Sequence, residues 1–288
     1  MTLSEKLKVL MKSVVLTVYY FFMALFSKKK LAYDNDEIIV SLTSYGKRIN
    51  FVFLTIESII QQSYMPRKIY LWLYIDDIPK GLSGWILNRQ KMRGLSINYV
   101  ERDSRSYKKL SPLFEMEGID FDYVVTADDD VFYPKNWLEI FKDNYTKQSD
   151  CVYCYRGRII TYKSDNIDPV RYSDWPLANI KNSLANNLIP TGVSGVCYPR
   201  GAISDDVFDY LTIDKICPCA DDIWYKMITV KNRYVSKLVV EHSTHFTPVL
   251  TGFGKGLEKV NVHNDYNTVQ FTASMKYFKI SVSDLVGE

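Results

Sequence analysis

No glycine-rich phosphate loop follows the first strand-like segment of this chain: it runs into SLTSYGKR, which holds a single glycine. That counts against a nucleotidyltransferase on a related α/β sheet. The alternating acidic loop of an EF-hand is missing too, which counts against a noncatalytic calcium-binding module. Cysteine is sparse and irregular. Cys151, Cys154, Cys197, Cys217 and Cys219 are odd in number and suit a reducing compartment better than a disulfide framework. Cys151 and Cys154 have CxxC spacing, but the second pair is CxC and no histidine is spaced around either, so buried thiols are expected rather than zinc. The net charge of +3 is too small to argue for nucleic acid. There is no internal repeat or low-complexity linker, and no small-residue cleavage site follows the apolar N-terminal run. With 47% hydrophobic and 24% charged residues, the chain is globular rather than disordered.

What positive excess exists sits at one end. Lys6, Lys8, Lys12 and the run Lys28 to Lys30 surround residues 9–26, VLMKSVVLTVYYFFMALF. A bilayer is crossed by about 20 apolar residues, which puts this stretch at the short edge of a spanning helix. Flanking lysines and clustered Tyr and Phe suit a segment that spans an anionic membrane or lies on it. A core helix packed on the domain is the alternative. Residues 1–35 are read as a membrane-associating helix and 36–288 as one catalytic-type domain.

From residue 38 the pattern alternates. Strands are expected at Ile38–Thr43, 68–75, 96–100 and 123–126, with helices at 49–62, 83–92 and 107–116 between them. Such alternation predicts parallel βαβ units, and therefore a site outside the carboxyl ends of the strands, where SYGKR, YIDDIP and ADDDV lie. Beyond a helix at Trp137–Tyr145 the chain turns β-rich and irregular, with strands expected at 151–155 and 158–162.

The rest is organised around residues 123–134, YVVTADDDVFYP. Asp is depleted in strands, and Asp128, Asp129 and Asp130 repel one another unless a cation or hydrogen-bond donors offset the charge. A second pair, Asp221 and Asp222 in CADDIWYKM, falls about ninety residues later at a helix N-terminus, where negative charge is favoured in any case. Mg²⁺ and Mn²⁺ prefer carboxylate oxygen and share it with phosphates. A metal stabilises a diphosphate leaving group, and a second carboxylate can take the proton of an attacking hydroxyl. The two clusters suit transfer from a nucleotide-diphosphate donor.

The ordered segments SLTSYGKR, SIIQQ, SYKKLSP, VVTADDDVFYP, GVSGVCYP and ADDIWYKM resemble bacterial glycosyltransferases of the GT-A fold, over residues 38–271. The resemblance implies an α/β fold with a Rossmann-like, mostly parallel central sheet and flanking helices, plus the N-terminal apolar helix. It also implies a role in capsular, exopolysaccharide or lipopolysaccharide assembly, a nucleotide-diphosphate sugar donor, and Mn²⁺ or Mg²⁺. The acceptor would be a glycan or lipid-linked glycan at the cytoplasmic face of the cell membrane.

Carried over by position, the acidic stretch resembles the DxD motif. Asp128 and Asp130 would be its outer, metal- and donor-facing carboxylates, and Asp129 would orient the loop. ADDIW resembles the acceptor-side motif of inverting enzymes, with Asp222 as base and Asp221 as acceptor contact. A register shift would exchange those two roles, and a plain helix-terminal charge is the alternative. In VNVHNDYN, His263 is the candidate third metal ligand. Arg48 and Lys109 would meet the diphosphate, Tyr45 would stack on the nucleobase, and Gly192 and Gly195 would let the backbone approach the acceptor. Each of these has a bland alternative as solvated charge, packed aromatic or turn.

Overall fold

Ile38–Thr43 (β1, IIVSLT) is buried from end to end. A strand covered on both faces reads as a continuous apolar run rather than an alternation. In the computed structural model, which describes residues 2–31, 38–163, 168–183, 186–250 and 265–286, β1 sits inside a seven-stranded sheet. Lys68–Tyr74 (β2) and then Leu95–Val100 (β3) add to it in parallel on one side, with Val40 opposite Ile69. Tyr123–Ala127 (β4) adds in parallel on the other, with Val40 opposite Val125. Beyond β4 the direction reverses. Val196–Pro199 (β8) runs antiparallel both to β4 and to Cys151–Cys154 (β5), and Val235–Leu238 (β9) closes the far edge parallel to β5. The order is β3-β2-β1-β4-β8-β5-β9, while Gly157–Ile159 (β6) and Leu188–Pro190 (β7) form a separate antiparallel pair.

The sheet separates two cores. Ile38, Val40 and Leu42 of β1, with Val125 and Ala127 of β4, face the first; Ile39 and Val124 face the second. Leu3–Phe26 (α1), Val52–Ile60 (α2), Gly81–Lys91 (α3) and Trp137–Tyr145 (α5) cover the first core. The short Ser111–Glu115 (α4) and Tyr210–Ile216 (α6), then Asp221–Lys231 (α7) and Tyr266–Phe278 (α8), cover the second. Val282–Val286 (α9) ends the described chain. The same alternation explains the cysteines. Cys151 lies in the first core and Cys154 in the second, because residues three apart on a strand face opposite ways. They cannot share a metal, and all five cysteines are free thiols.

Several expected elements change shape. The helix expected over 107–116 is broken into a 3₁₀ turn, Arg105–Lys109, and α4, since Pro112 at the start of α4 has no amide proton to carry a helix through. Residues 241–246, EHSTHF, contribute one isolated bridge, His242 to Asn179. The strands β7 and β9 are three and four residues long, too short to show a period in sequence.

One charged pair lies inside the first core. Glu57, fully buried in α2, receives Nη1 and Nη2 of Arg93, each at 2.8 Å, and Nε2 of Gln90 at 3.0 Å. Removing one partner strands a buried charge, which costs about 3–5 kcal/mol. Arg93→Met is therefore expected to lower stability by about that much, read as a reduced urea midpoint with an unchanged slope. An unchanged midpoint would show that Glu57 is compensated without Arg93.

Candidate active site

The strand order reverses between β1, which leads outward to β2 and β3, and β4 on its other side. At such a switch point the loops leaving adjacent strand ends diverge and open a crevice. A cleft of about 340 Å³ lies there, lined by Thr43, Tyr45, Arg48, Lys109, Asp128 and Asp129 together with Asp103, Arg105, Ser106 and Lys108. The one glycine of SYGKR sits where the chain needs it. Gly46 has φ +54°, a left-handed value that starts the 3₁₀ turn Gly46–Asn50. That turn aims Arg48 back into the cleft, with its guanidinium 5.5 Å over the Tyr45 ring.

The acidic loop is held from several sides. The Asp128 amide donates to the hydroxyl of Tyr133 at 2.7 Å, and the Thr55 hydroxyl lies 3.0 Å from the carbonyls of both Asp129 and Val131. The Val249 amide donates to the Asp130 carbonyl at 2.7 Å, and the Phe132 amide to that of Thr247 at 2.9 Å. The three carboxylates part company on this frame. Asp129 is buried and accepts from Ser44 Oγ at 2.5 Å and Arg48 Nη1 at 3.0 Å. Burial pushes its pKa up, against the pull of the Ser44 hydrogen bond and the Arg48 charge. Asp130 takes Arg48 Nη2 at 3.0 Å, yet burial and the Asp128 charge still push it up to about 6. Asp128 is paired with Lys109 Nζ at 2.5 Å.

Lys109 joins the two acidic segments. Its backbone carbonyl accepts from Ser41 Oγ of β1 at 2.5 Å, and its side chain is nearly buried. Burial alone would lower its pKa, but Asp128, Asp221 and Asp222 together raise it and hold the ammonium charged. Asp222 Oδ1 accepts from the Gly192 amide at 2.9 Å, and α7 is capped by Ala220 without help from either carboxylate. A side chain placed at Gly192 would meet Asp222 Oδ1 at 3.2 Å and Lys109 Nζ at 3.5 Å, so both groups converge on that glycine. Burial and the neighbouring Asp221 push the Asp222 carboxyl up to about 8, with Lys109 and the Gly192 amide opposing.

Gly195 has a different reason to be glycine. Its φ is +97°, and a Cβ there would sit 2.6 Å from the Trp137 ring, whose Nε1 donates to the Ser194 carbonyl at 2.9 Å. Gly195→Ala is expected to cost about 1–3 kcal/mol through overpacking, as a fall in thermal midpoint. An unchanged midpoint would show that Trp137 yields freely. His263 lies outside the described residues. His245 has Nδ1 2.8 Å from the Phe246 carbonyl, and His242 is exposed beside Glu241. Residues that sequence reasoning passed over are the ones holding the loop: Ser44, Thr55, Tyr133 and the segment 247–249. Ser44 was visible directly after β1; the others are brought in by tertiary packing.

Asp128 and Asp130 supply hard oxygen ligands with partial exposure, and burial, with the Asp128 charge added, pushes the Asp130 carboxyl up. Among the described residues no three His, Cys, Asp or Glu side chains converge to hold a metal unaided. The pair could hold a hard cation such as Mg²⁺ or Mn²⁺ only together with further oxygen ligands from outside the protein.

Comparison with solved structures finds the same α/β fold elsewhere. The crystal structure of S. aureus TarS 1–349 superposes with a TM-score of 0.50 at 14% identity, covering 84% of this chain and 72% of that one. The same TarS segment in complex with UDP-GlcNAc gives 0.50 at 12%, covering 88% and 68%. In the longer TarS structure the match covers 72% of this chain and 36% of that chain, with a TM-score of 0.49, so this chain spans about a third of that protein. No protein-family model matches the sequence, and no curated protein matches it.

Proposed function

We propose that this protein is a metal-assisted glycosyltransferase that moves a sugar from a nucleotide-diphosphate donor to a hydroxyl of a glycan or lipid-linked glycan. The observation that carries the reading is the convergence on Lys109: one ammonium is paired with Asp128 of the acidic loop and lies beside Asp221 and Asp222 of α7. Two acidic segments far apart in sequence thus meet at one ammonium of the cleft lining, as transfer between a donor and an acceptor requires.

In this reading Tyr45 stacks on the nucleobase, and Arg48 and Lys109 face the diphosphate. Asp128 and Asp130 would hold the Mg²⁺ or Mn²⁺, which supplies Lewis-acid stabilisation of the leaving diphosphate. Asp222 accepts the acceptor's hydroxyl proton while that oxygen bonds to the anomeric carbon from the face opposite the departing diphosphate, which inverts the centre. Asp221 and the Gly192 backbone border the acceptor. Localisation at the cytoplasmic face of a membrane, in surface-polysaccharide assembly, belongs to the same proposal, supported by the free thiols and by the length and apolarity of α1.

The test is a thermal-shift screen of UDP- and GDP-sugars with Mn²⁺, followed by donor hydrolysis and product analysis. A ligand at about a hundred times its Kd stabilises the folded state by about 2.7 kcal/mol. One or more nucleotide sugars should raise the midpoint and release nucleoside diphosphate. Failure of every donor to do either would overturn the reading.

A further inference from the structure

Helix α1 is apolar on two opposite sides, and only one of them is covered by protein. Ser13, Tyr20 and Ala24 face the domain. On the reverse, Leu7, Met11, Val15, Val18, Phe22 and Phe26 form one stripe, each residue 51–70% exposed. At 1.5 Å per residue this stripe runs for about 30 Å, longer than the scattered apolar residues of an ordinary soluble surface.

The covered side is fastened by directed bonds. Ser13 Oγ donates to the Pro248 carbonyl at 2.7 Å, and Tyr20 stacks on Phe132 at 5.3 Å. At the C-terminal end Arg89 donates to the carbonyls of Ala24 and Ser27 at 3.2 and 2.8 Å. Arg93, already bound to Glu57, donates to the Lys29 carbonyl at 2.7 Å. A helix held this way cannot cross a bilayer without taking Arg89, Arg93 and Glu57 into hydrocarbon, where charge is costly.

A second apolar element lies beside it. Thr17 and Phe21 of α1 form a groove of about 350 Å³ with Phe51, Leu54 and Leu82. Leu82 and Trp85, one turn apart on α3, are 57% and 55% exposed. Lys8 and Lys12 on α1, and Lys28 and Lys30 just past its end, are exposed. Basic residues bordering an apolar face complement an anionic lipid surface.

We infer that the outer face of α1, with Phe51, Leu82 and Trp85, is a single docking face that seats the protein on an anionic bilayer, with α1 lying in the interface plane rather than crossing it. The inference rests on the membrane association proposed above and is independent of sugar transfer. Its consequence reaches the site, because Ser13 bonds Pro248 and the next residue, Val249, bonds the Asp130 carbonyl. The acidic loop is thus tied to the membrane-facing helix.

The test uses the full chain, without nucleotide sugar, so its failure and that of the transferase reading are separable. Trp72, Trp137, Trp175 and Trp224 are buried, leaving Trp85 as the exposed tryptophan. The protein should float with vesicles containing roughly a third phosphatidylglycerol and much less with phosphatidylcholine alone. Nitroxide lipids labelled near the headgroup should quench the emission more strongly than lipids labelled at the chain end, by about twofold or more, and Trp85→Phe should remove that difference. Val15→Glu with Phe22→Glu should lower vesicle partitioning about tenfold or more at an unchanged thermal midpoint. In a Cys219→Ser background, Ser4→Cys and Lys28→Cys should both react with an impermeant maleimide added outside the vesicles. Protection of one end would overturn the inference in favour of a spanning helix. Absence of flotation together with a concentration-dependent dimer that the glutamate pair dissociates would assign the face to a second copy of the chain.

Discussion

Asp222→Asn is expected to lower kcat by about a hundred- to ten-thousand-fold, the range a positioned general base supplies. The amide keeps the volume and can still meet the Gly192 amide through its carbonyl oxygen, so donor-induced stabilisation should survive. The pH profile provides a second reading. A base must be ionised to accept a proton, and burial with the Asp221 charge pushes this carboxyl up to about 8. In wild type kcat/KM should therefore rise with pH and level off near that value, and the limb should vanish in Asp222→Asn. Stability carries the opposite sign. Because the folded pKa lies above the unfolded one, the folded protein binds the extra proton between about pH 4 and 8, so this group lowers stability as pH rises through that window. Asp222→Asn should flatten the decline in thermal midpoint. A variant with wild-type kcat would transfer the role to Asp221 or remove it from α7 altogether.

Asp130→Ala should reduce transfer by at least about a hundredfold, the scale for removing one electrostatic contact to a developing charge. It should also abolish the Mn²⁺-dependent part of the thermal shift seen with donor. Chelation should silence wild type reversibly, and full activity in EDTA would end the metal assignment. Asp129→Asn makes the informative contrast. Asp129 is buried and committed to Ser44 and Arg48, so its replacement should be felt mainly as lost stability of the loop, with Mn²⁺ response retained. If Asp129→Asn and Asp130→Ala behave alike, the division of labour among the three carboxylates is wrong.

The α/β architecture was legible because its signals are local. A β-branched run such as IIVSLT, ending in a polar turn, announces a strand buried on both faces, and repetition of that pattern with intervening helical periods announces a parallel sheet. The acidic segments were legible for the same reason: three adjacent aspartates after a strand have no packing explanation. The short strands β7 and β9 escaped because three or four residues hold no period, and the Glu57–Arg93 pair because two residues thirty-six positions apart look like ordinary surface charges.

By itself the sequence determined the class of fold, the presence of two acidic segments and an apolar, lysine-flanked N-terminus. Only the tertiary structure decided what these do to one another. Lys109 stands between the segments because the loop after β3 and the start of α7 meet at one end of the sheet. Asp129 is turned inward because Ser44 and Arg48 leave the neighbouring strand on that side. Gly195 is required by the face of Trp137, and α1 lies against the domain because Arg89 of α3 takes up the carbonyls at its end. Strand and helix follow from nearest-neighbour sterics and periodicity, which the sequence carries. Charge pairing and burial depend on distances between residues remote in the chain, and those exist only once it has folded.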